Sequence, residues 1–180
     1  MSGFKIIDYF RNKIKNKSDT LEVTIAKSTK IVGCQIYLYG DAKLTIGKNT
    51  LLRNVMIEIV DSSITIGDNC MIGKESYLSA KEDTSITIMD NCGLSRNAKV
   101  MTSDGHDILD SEQKKINFAK DIVLHENIWV ADNVTILKGV SIDEDSVIAI
   151  NSTVTKDVPA HSIAAGNPAK IVKKDISWKS

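Results

Sequence analysis

The chain has 180 residues, one domain's worth, and its 23 lysines and arginines balance 23 aspartates and glutamates, so no global field favours nucleic acid or an anionic surface. Aromatic residues are 5% and prolines two, while Ile, Val and Thr are plentiful, which suits narrow parallel strands and argues against disordered linkers. No apolar run approaches the roughly 18–20 residues of a membrane span. Lys5, Asp8, Arg11 and Lys13 break up the N-terminal stretch where a signal peptide would lie, and three scattered cysteines fit reduced thiols in a cytoplasmic protein.

Residues 4–16 predict a short amphipathic helix. Ile6, Ile7, Phe10 and Ile14 recur at helical spacing, flanked by Lys5, Arg11, Lys13 and Lys15. The expectation is an N-terminal helical cap over residues 1–20 that covers an open end of the following domain, with membrane contact at most peripheral through its basic face. From Leu21 to Tyr39 a repeat is present but blurred, as in Val23-Thr-Ile25 and Cys34-Gln-Ile36. It becomes clear at Leu44-Thr-Ile-Gly47 and returns at Ile64-Thr-Ile-Gly and Ile86-Thr-Ile88. Cys70 and Cys92 each open a six-residue unit, where a small buried side chain is wanted, so packing is their expected role.

The repeat is sharpest over 122–158. Read in sixes from Ile122, the third place is always aliphatic: Leu124, Val130, Ile136, Ile142, Ile148, Val154. The first place is aliphatic or small: Ile122, Ile128, Val134, Val140, Ser146, Ser152. A period of six is neither helical nor a simple alternation. It fits a chain that runs straight, turns and runs straight again, so that one side chain per segment points at a common axis, which is a parallel β-helix. The expected solenoid covers 21–160 in five to six rungs, starting near 44, 64, 86, 122 and 140, with a tail over 161–180. The register breaks twice. Between Leu78 and Ile88 the aliphatic column advances ten residues instead of six, a bulged turn around Lys81–Thr84. Between Val100 and Leu124 it advances twenty-four, which throws out a loop over 103–121. A long excursion from a tight solenoid is where function is expected.

Six motifs carry a resemblance: Thr102-Ser-Asp-Gly-His106, Asn117-Phe-Ala-Lys-Asp-Ile122, Ile128-Trp129, Thr135-Ile-Leu-Lys-Gly-Val140, Val154-Thr-Lys-Asp-Val158 and Ala165-Gly-Asn-Pro-Ala-Lys170. In order and spacing the chain resembles the hexapeptide-repeat acyltransferases, whose fold is an all-β left-handed parallel β-helix. The nearest branch O-acetylates sugars of capsules, O-antigens and related surface polysaccharides. The resemblance implies an acetyl-coenzyme A-dependent O-acetyltransferase that moves an acetyl group directly to a saccharide hydroxyl, in a homotrimer with active sites between subunits. An N-acetyltransferase on an amino-sugar nucleotide, an acetyltransferase of a small molecule such as serine or a streptogramin, and a non-catalytic scaffold stay open as alternatives.

It also implies site residues. His106 matches the catalytic base, since imidazole titrates near neutrality and takes the hydroxyl proton as the bond forms. Asp104 and Asp107 bracket it; Asp104 is the preferred partner for the second ring nitrogen, and Asp107 is placed with the acceptor. Trp129, outward-facing after the loop returns, is expected to stack on a sugar or wall the pantetheine channel. Ala131, Asp132, Ala149 and Ile150 match pantetheine contacts. Thr155, Lys156, Asn167 and Lys170 match positions nearer the nucleotide. The turn position that is often glycine in the family is Met89, His125, Ala131, Leu137, Asp143 or Ala149 here, which reshapes the cofactor groove. A γ-class carbonic anhydrase shares the fold but needs three histidines converging on zinc. His106, His125 and His161 lack that spacing, so no metal is expected.

Overall fold

The computed structural model describes residues 12–179, and these are all β among the described residues. The chain winds as a three-faced solenoid whose inward side chains form three columns, each seven layers deep. On the first face Ile14, Ile36, Ile57, Leu78, Val100, Ile136 and Val154 stand in register. On the second face the column is Ile25, Ile46, Ile66, Ile88, Leu124, Ile142 and Val158. On the third it is Ile31, Leu52, Ile72, Leu94, Val130, Ile148 and Ala164. All these pairings are parallel, and from the second layer on the columns fuse into one hydrophobic core; in the first layer Ile25 and Ile31 pack against it and Ile14 is exposed. Each layer satisfies the backbone groups of the next, and three strips of aliphatic side chains replace a globular centre.

The six-residue period maps directly onto this geometry. First and third places of every unit from Ile122 to Val154 are buried. The sixth place makes the corner, and Asn127, Asn133, Gly139, Asp145 and Asn151 all have φ between 55° and 77°. Asn, Asp and Gly tolerate that left-handed backbone best. The corner amides also bond between layers: Asn97 Nδ2 donates to Asn133 Oδ1 at 3.0 Å, and Asn133 Nδ2 to Asn151 Oδ1 at 3.0 Å. Cys70 and Cys92 are free and buried, as their place in the repeat predicts, and so is Cys34. In the last layers one turn takes 18 residues, as from Ile136 to Val154. Earlier turns take 20 to 22, because the strands Gln35–Ile46 and Met56–Ile66 run through the corner between first and second faces with a bulge. That extra length blurs the repeat near the N-terminus. It also joins the first two faces into one ten-stranded sheet, against eight strands on the third.

Three expectations change. Residues 1–11 of the predicted helix lie outside the described residues, but 13–16 are not helical. They open the strand Lys13–Ile25, which pairs along the whole length of Gln35–Ile46. An open solenoid edge offers a row of backbone groups, and pairing with it outweighs the helical spacing of Ile14. This strand adds a layer, giving seven instead of five to six. The boundary at 160 falls inside the seventh layer: Ile163–Gly166 continues the third face, and Ala169–Lys173 folds back on it antiparallel. The long loop leaves after the strand Lys99–Met101 and returns at Ile122–Leu124, as expected. No helix among the described residues is long and apolar enough to cross a membrane.

Asn91 holds φ 59° at a corner. Asn91→Gly should leave stability nearly unchanged in a denaturant titration, whereas Asn91→Val should cost about 1–2 kcal/mol, since a β-branched residue resists the left-handed region.

Candidate active site

The loop carrying His106 stands at the corner between first and second faces, where earlier layers bulge. Its footing is Thr102, fully buried. The Thr102 hydroxyl accepts from Lys81 N at 3.1 Å and bonds the Thr84 hydroxyl at 2.6 Å, and its carbonyl accepts from Lys120 N at 3.0 Å. The loop's two ends are thereby held together over the bulged turn of the preceding layer. Glu82, in that turn, takes the Ser103 hydroxyl on one oxygen and Lys115 Nζ on the other. Gly139, at φ 77°, lets the returning chain pass close: a Cβ there would meet the Lys120 side chain at 2.9 Å.

Inside the loop, Asn117 is the hub. Its Nδ2 donates to the His106 carbonyl at 2.8 Å and to Asp104 Oδ2 at 2.8 Å, while its Oδ1 accepts from Ile108 N at 2.7 Å. Lys138, from the next layer, reaches Asp104 Oδ2 at 2.5 Å and the Asn117 carbonyl at 2.8 Å. His106 is thus bracketed by fixed backbone while its imidazole stands exposed. The Lys138 ammonium, then the Asn117 amide, hold the Asp104 carboxyl below the usual carboxylate range. Asp104 was expected to orient the imidazole; its contacts go instead to Lys138 and Asn117. Asp107 pairs with Lys115 at 2.8 Å, and Asp107 then Glu82 push that ammonium's pKa up. Sequence reading assigned no role to Asn117 or Lys138, although both lie inside motifs it singled out.

The other candidates fall on separate corners. Ala131 and Asp132, then Ala149 and Ile150, follow the paired Val130 and Ile148 at the corner between third and first faces. With Ala165 one layer further they form a strip of small side chains along the axis. The N–H groups of Ala131 and Ala149 already donate to Ile148 O and Ala164 O, both at 2.9 Å. Asp132 holds Arg96: the guanidinium meets Oδ2 at 2.6 and 3.0 Å, and Arg96 N donates to Oδ1 at 3.0 Å. A groove of about 810 Å³ on the third face runs to this corner past Arg53, Lys74 and Arg96, away from the His106 loop. Thr155 and Lys156 lie one layer beyond Leu137 and Lys138, on the His106 corner. Asn167 and Lys170 sit on the terminal antiparallel hairpin. Trp129 is outward-facing on the third face and 42% exposed. His125 and His161 lie at the corner between second and third faces, facing Asp143 at 3.7 Å and Asp145 at 3.9 Å. A single chain therefore brings together His106, Asp104, Asp107, Thr155 and Lys156 on one corner and leaves the rest on others.

A seven-layer parallel solenoid with one loop thrown from a corner defines the hexapeptide-repeat class, and comparison with known proteins agrees. Residues 63–98 match the model described as hexapeptide repeat of succinyl-transferase. The chain is 37% identical over 158 residues to a polysialic acid O-acetyltransferase of Escherichia coli O1:K1 / APEC, covering 87% of this chain and 44% of that protein. It therefore spans less than half the length of that relative. The solved structure of the polySia-specific acetyltransferase NeuO is 32% identical, with a TM-score of 0.72 over 95% of this chain and 90% of that one. A hexapeptide-repeat acetyltransferase of Vibrio cholerae O1 biovar eltor, solved with acetyl coenzyme A, is 28% identical with a TM-score of 0.55 over 66% of this chain and 64% of that one. The chain belongs to the hexapeptide-repeat acetyltransferase family, with its left-handed β-helix.

The Asp104 carboxyl is depressed by Lys138, so the tie between loop and solenoid is complete above the ordinary carboxylate range and is lost only as pH falls through the lowered value. Lys138→Met should raise the Asp104 pKa in an NMR titration and speed amide exchange across 103–119 at neutral pH.

Proposed function

We propose that this protein is an acetyl-coenzyme A-dependent O-acetyltransferase acting on a saccharide hydroxyl of a surface polysaccharide such as a capsule or O-antigen. The observation that carries it is the exposed His106 imidazole on a loop pinned to the layers on both sides. Family membership supports it, as do the names of relatives given as polysialic acid acetyltransferases. His106 acts as general base. Its ring nitrogen removes the hydroxyl proton as the sugar oxygen attacks the thioester carbonyl. The carbon–sulfur bond then breaks, and the thiolate takes the proton back from the imidazolium. A hydroxyl is too weak an acid to attack unaided near neutral pH, so a base held in place accounts for a large part of the rate. Lys138, Asn117 and Glu82 position the loop and are not themselves bases.

The donor fits the axial strip of Ala131, Ala149 and Ala165, whose small side chains leave room for a narrow chain. Ile150 stands 58% exposed beside it. Lys156 and Lys170, both exposed, suit phosphates. The N–H groups of Ala131 and Ala149 are already engaged in the ladder, so the strip offers the donor space more than hydrogen bonds. The strip and the His106 loop are on different corners, so we assign the functional unit as a homotrimer in which one chain's loop faces its neighbour's strip. Exposed Ile108, Leu109, Ile116 and Phe118 on the loop support a subunit contact. Trp129 and Asp107 are assigned to the acceptor.

Thiol release from acetyl-coenzyme A, measured over a panel of saccharides that includes oligosialic acid, tests this reading. Wild type should show acceptor-dependent release, and His106→Ala should lose about 10²–10⁴-fold, the scale of a lost general base. Release that survives the substitution removes His106 as the base. No release and no coenzyme A binding would make the chain a scaffold.

A further inference from the structure

The C-terminal segment does not end at the seventh layer. It turns back along the corner between second and third faces. Ile176 N donates to His161 O at 3.1 Å, and Trp178 Nε1 to Asn127 O at 2.6 Å. This lays the Trp178 ring beside Trp129, centroids 5.9 Å apart and planes tilted by 40°. Trp129 Nε1 donates to Ser95 Oγ at 3.3 Å, so both rings are tethered. Beside this pair opens a cavity of about 430 Å³, which both rings line. Its floor is Gly93, where an added Cβ would come within 4.0 Å of the Trp178 ring. Its walls include the corner amides of Asn69, Asn91 and Asn127, and Lys179 stands at its edge.

We infer that the cavity walled by the Trp129–Trp178 pair is a binding subsite for a ring of an anionic saccharide, with Trp178 a recognition residue in its own right. The inference rests on the saccharide reading above and adds the place where the acceptor is held. Three features support it. A flat indole face takes the C–H face of a pyranose ring, and at 5.9 Å the two rings pack on each other as one continuous aromatic wall of the cavity. Amide side chains at the rim offer both donors and acceptors, which match hydroxyl groups. The volume lies in the range of small-ligand sites, about 300–1,000 Å³. Lys179, at the edge, is the charged side chain among the lining residues and is placed to meet the carboxylate of an acid sugar. Because the tail is fixed by its two hydrogen bonds, the second ring is in place before the ligand arrives, which lowers the ordering cost of binding.

The chain has two tryptophans, both in this cleft, so its whole tryptophan emission reports from there. Titrating the full-length protein with oligosialic acid should change that emission saturably, and a neutral maltooligosaccharide of equal length should do so more weakly. In the acetyl-transfer assay Trp178→Ala should raise the KM for the saccharide about fivefold or more while the KM for acetyl-coenzyme A stays put, the scale of one lost stacking contact. Trp178→Phe, which keeps a ring but loses the bond to Asn127, should recover most of that loss. Emission indifferent to oligosialic acid overturns the inference. So does a Trp178→Ala defect that falls on acetyl-coenzyme A instead, which would make the cleft part of the donor channel. If wild type transfers acetyl to no saccharide, the proposed function fails, and the emission titration still decides the cleft.

Discussion

Everything in this fold depends on vertical register. A residue that points inward in one layer must sit directly over its counterpart in the next, at the spacing of parallel strands, about 4.8 Å. A slip of one residue would turn the aliphatic column outward and bring its neighbours in. The chain is therefore free to vary in length only where it leaves the faces. The bulged corner adds two to four residues per turn in early layers without disturbing Ile36, Ile57 or Leu78. The long loop follows the same rule. Val100 pairs with Ile136 as though the residues between them were an ordinary turn. A site can be built on such an insertion at little cost to the core.

That freedom creates a second problem, which the corner solves. An extended loop on a smooth prism would have no fixed conformation. Here it is tied to the layer below through Glu82 and Thr102 and to the layer above through Lys138. Each ion pair is at least partly exposed and contributes little to global stability on its own. Their effect is local. Asn117 links the two halves of the loop, and Lys138 bonds both Asp104 and the Asn117 backbone, so the His106 carbonyl is referred to the solenoid through one amide. A general base gains from being held in place more than from any single contact.

The legible part of the sequence was the part that repeats. First and third places of each six-residue unit gave the buried columns, and the break in their spacing gave the loop at 103–121. The sixth place carries equal information, in Asn127, Asn133 and Asn151, but reading it requires knowing that corners need a left-handed backbone. What stayed hidden has no period. Lys138 meets Asp104 across 34 residues and Trp178 meets Asn127 across 51. Neither partner is marked by its immediate neighbours. The terminal strand was missed for a related reason. Ile14 fits a helical spacing locally, and only the unpaired edge of the next layer, more than twenty residues away, makes it a strand.

The three corners also differ in chemistry, and the difference bears on assembly. The first-to-second corner holds the imidazole and Lys156. The third-to-first corner holds the alanine strip, and the third face carries Trp129, with Trp178 laid against it from the second-to-third corner. A rigid three-sided prism cannot fold one corner onto another, so no motion within a chain would combine them. A cyclic arrangement about an axis parallel to the solenoid does so by geometry alone, because it sets one corner of each copy against a different corner of the next and closes after three. Under the proposed trimer the base and the donor strip need not be near one another in any single chain. The separation of base and donor strip is then a consequence of the prism: the register that keeps the loop and the strip on different corners of one chain leaves each to be completed by a neighbour.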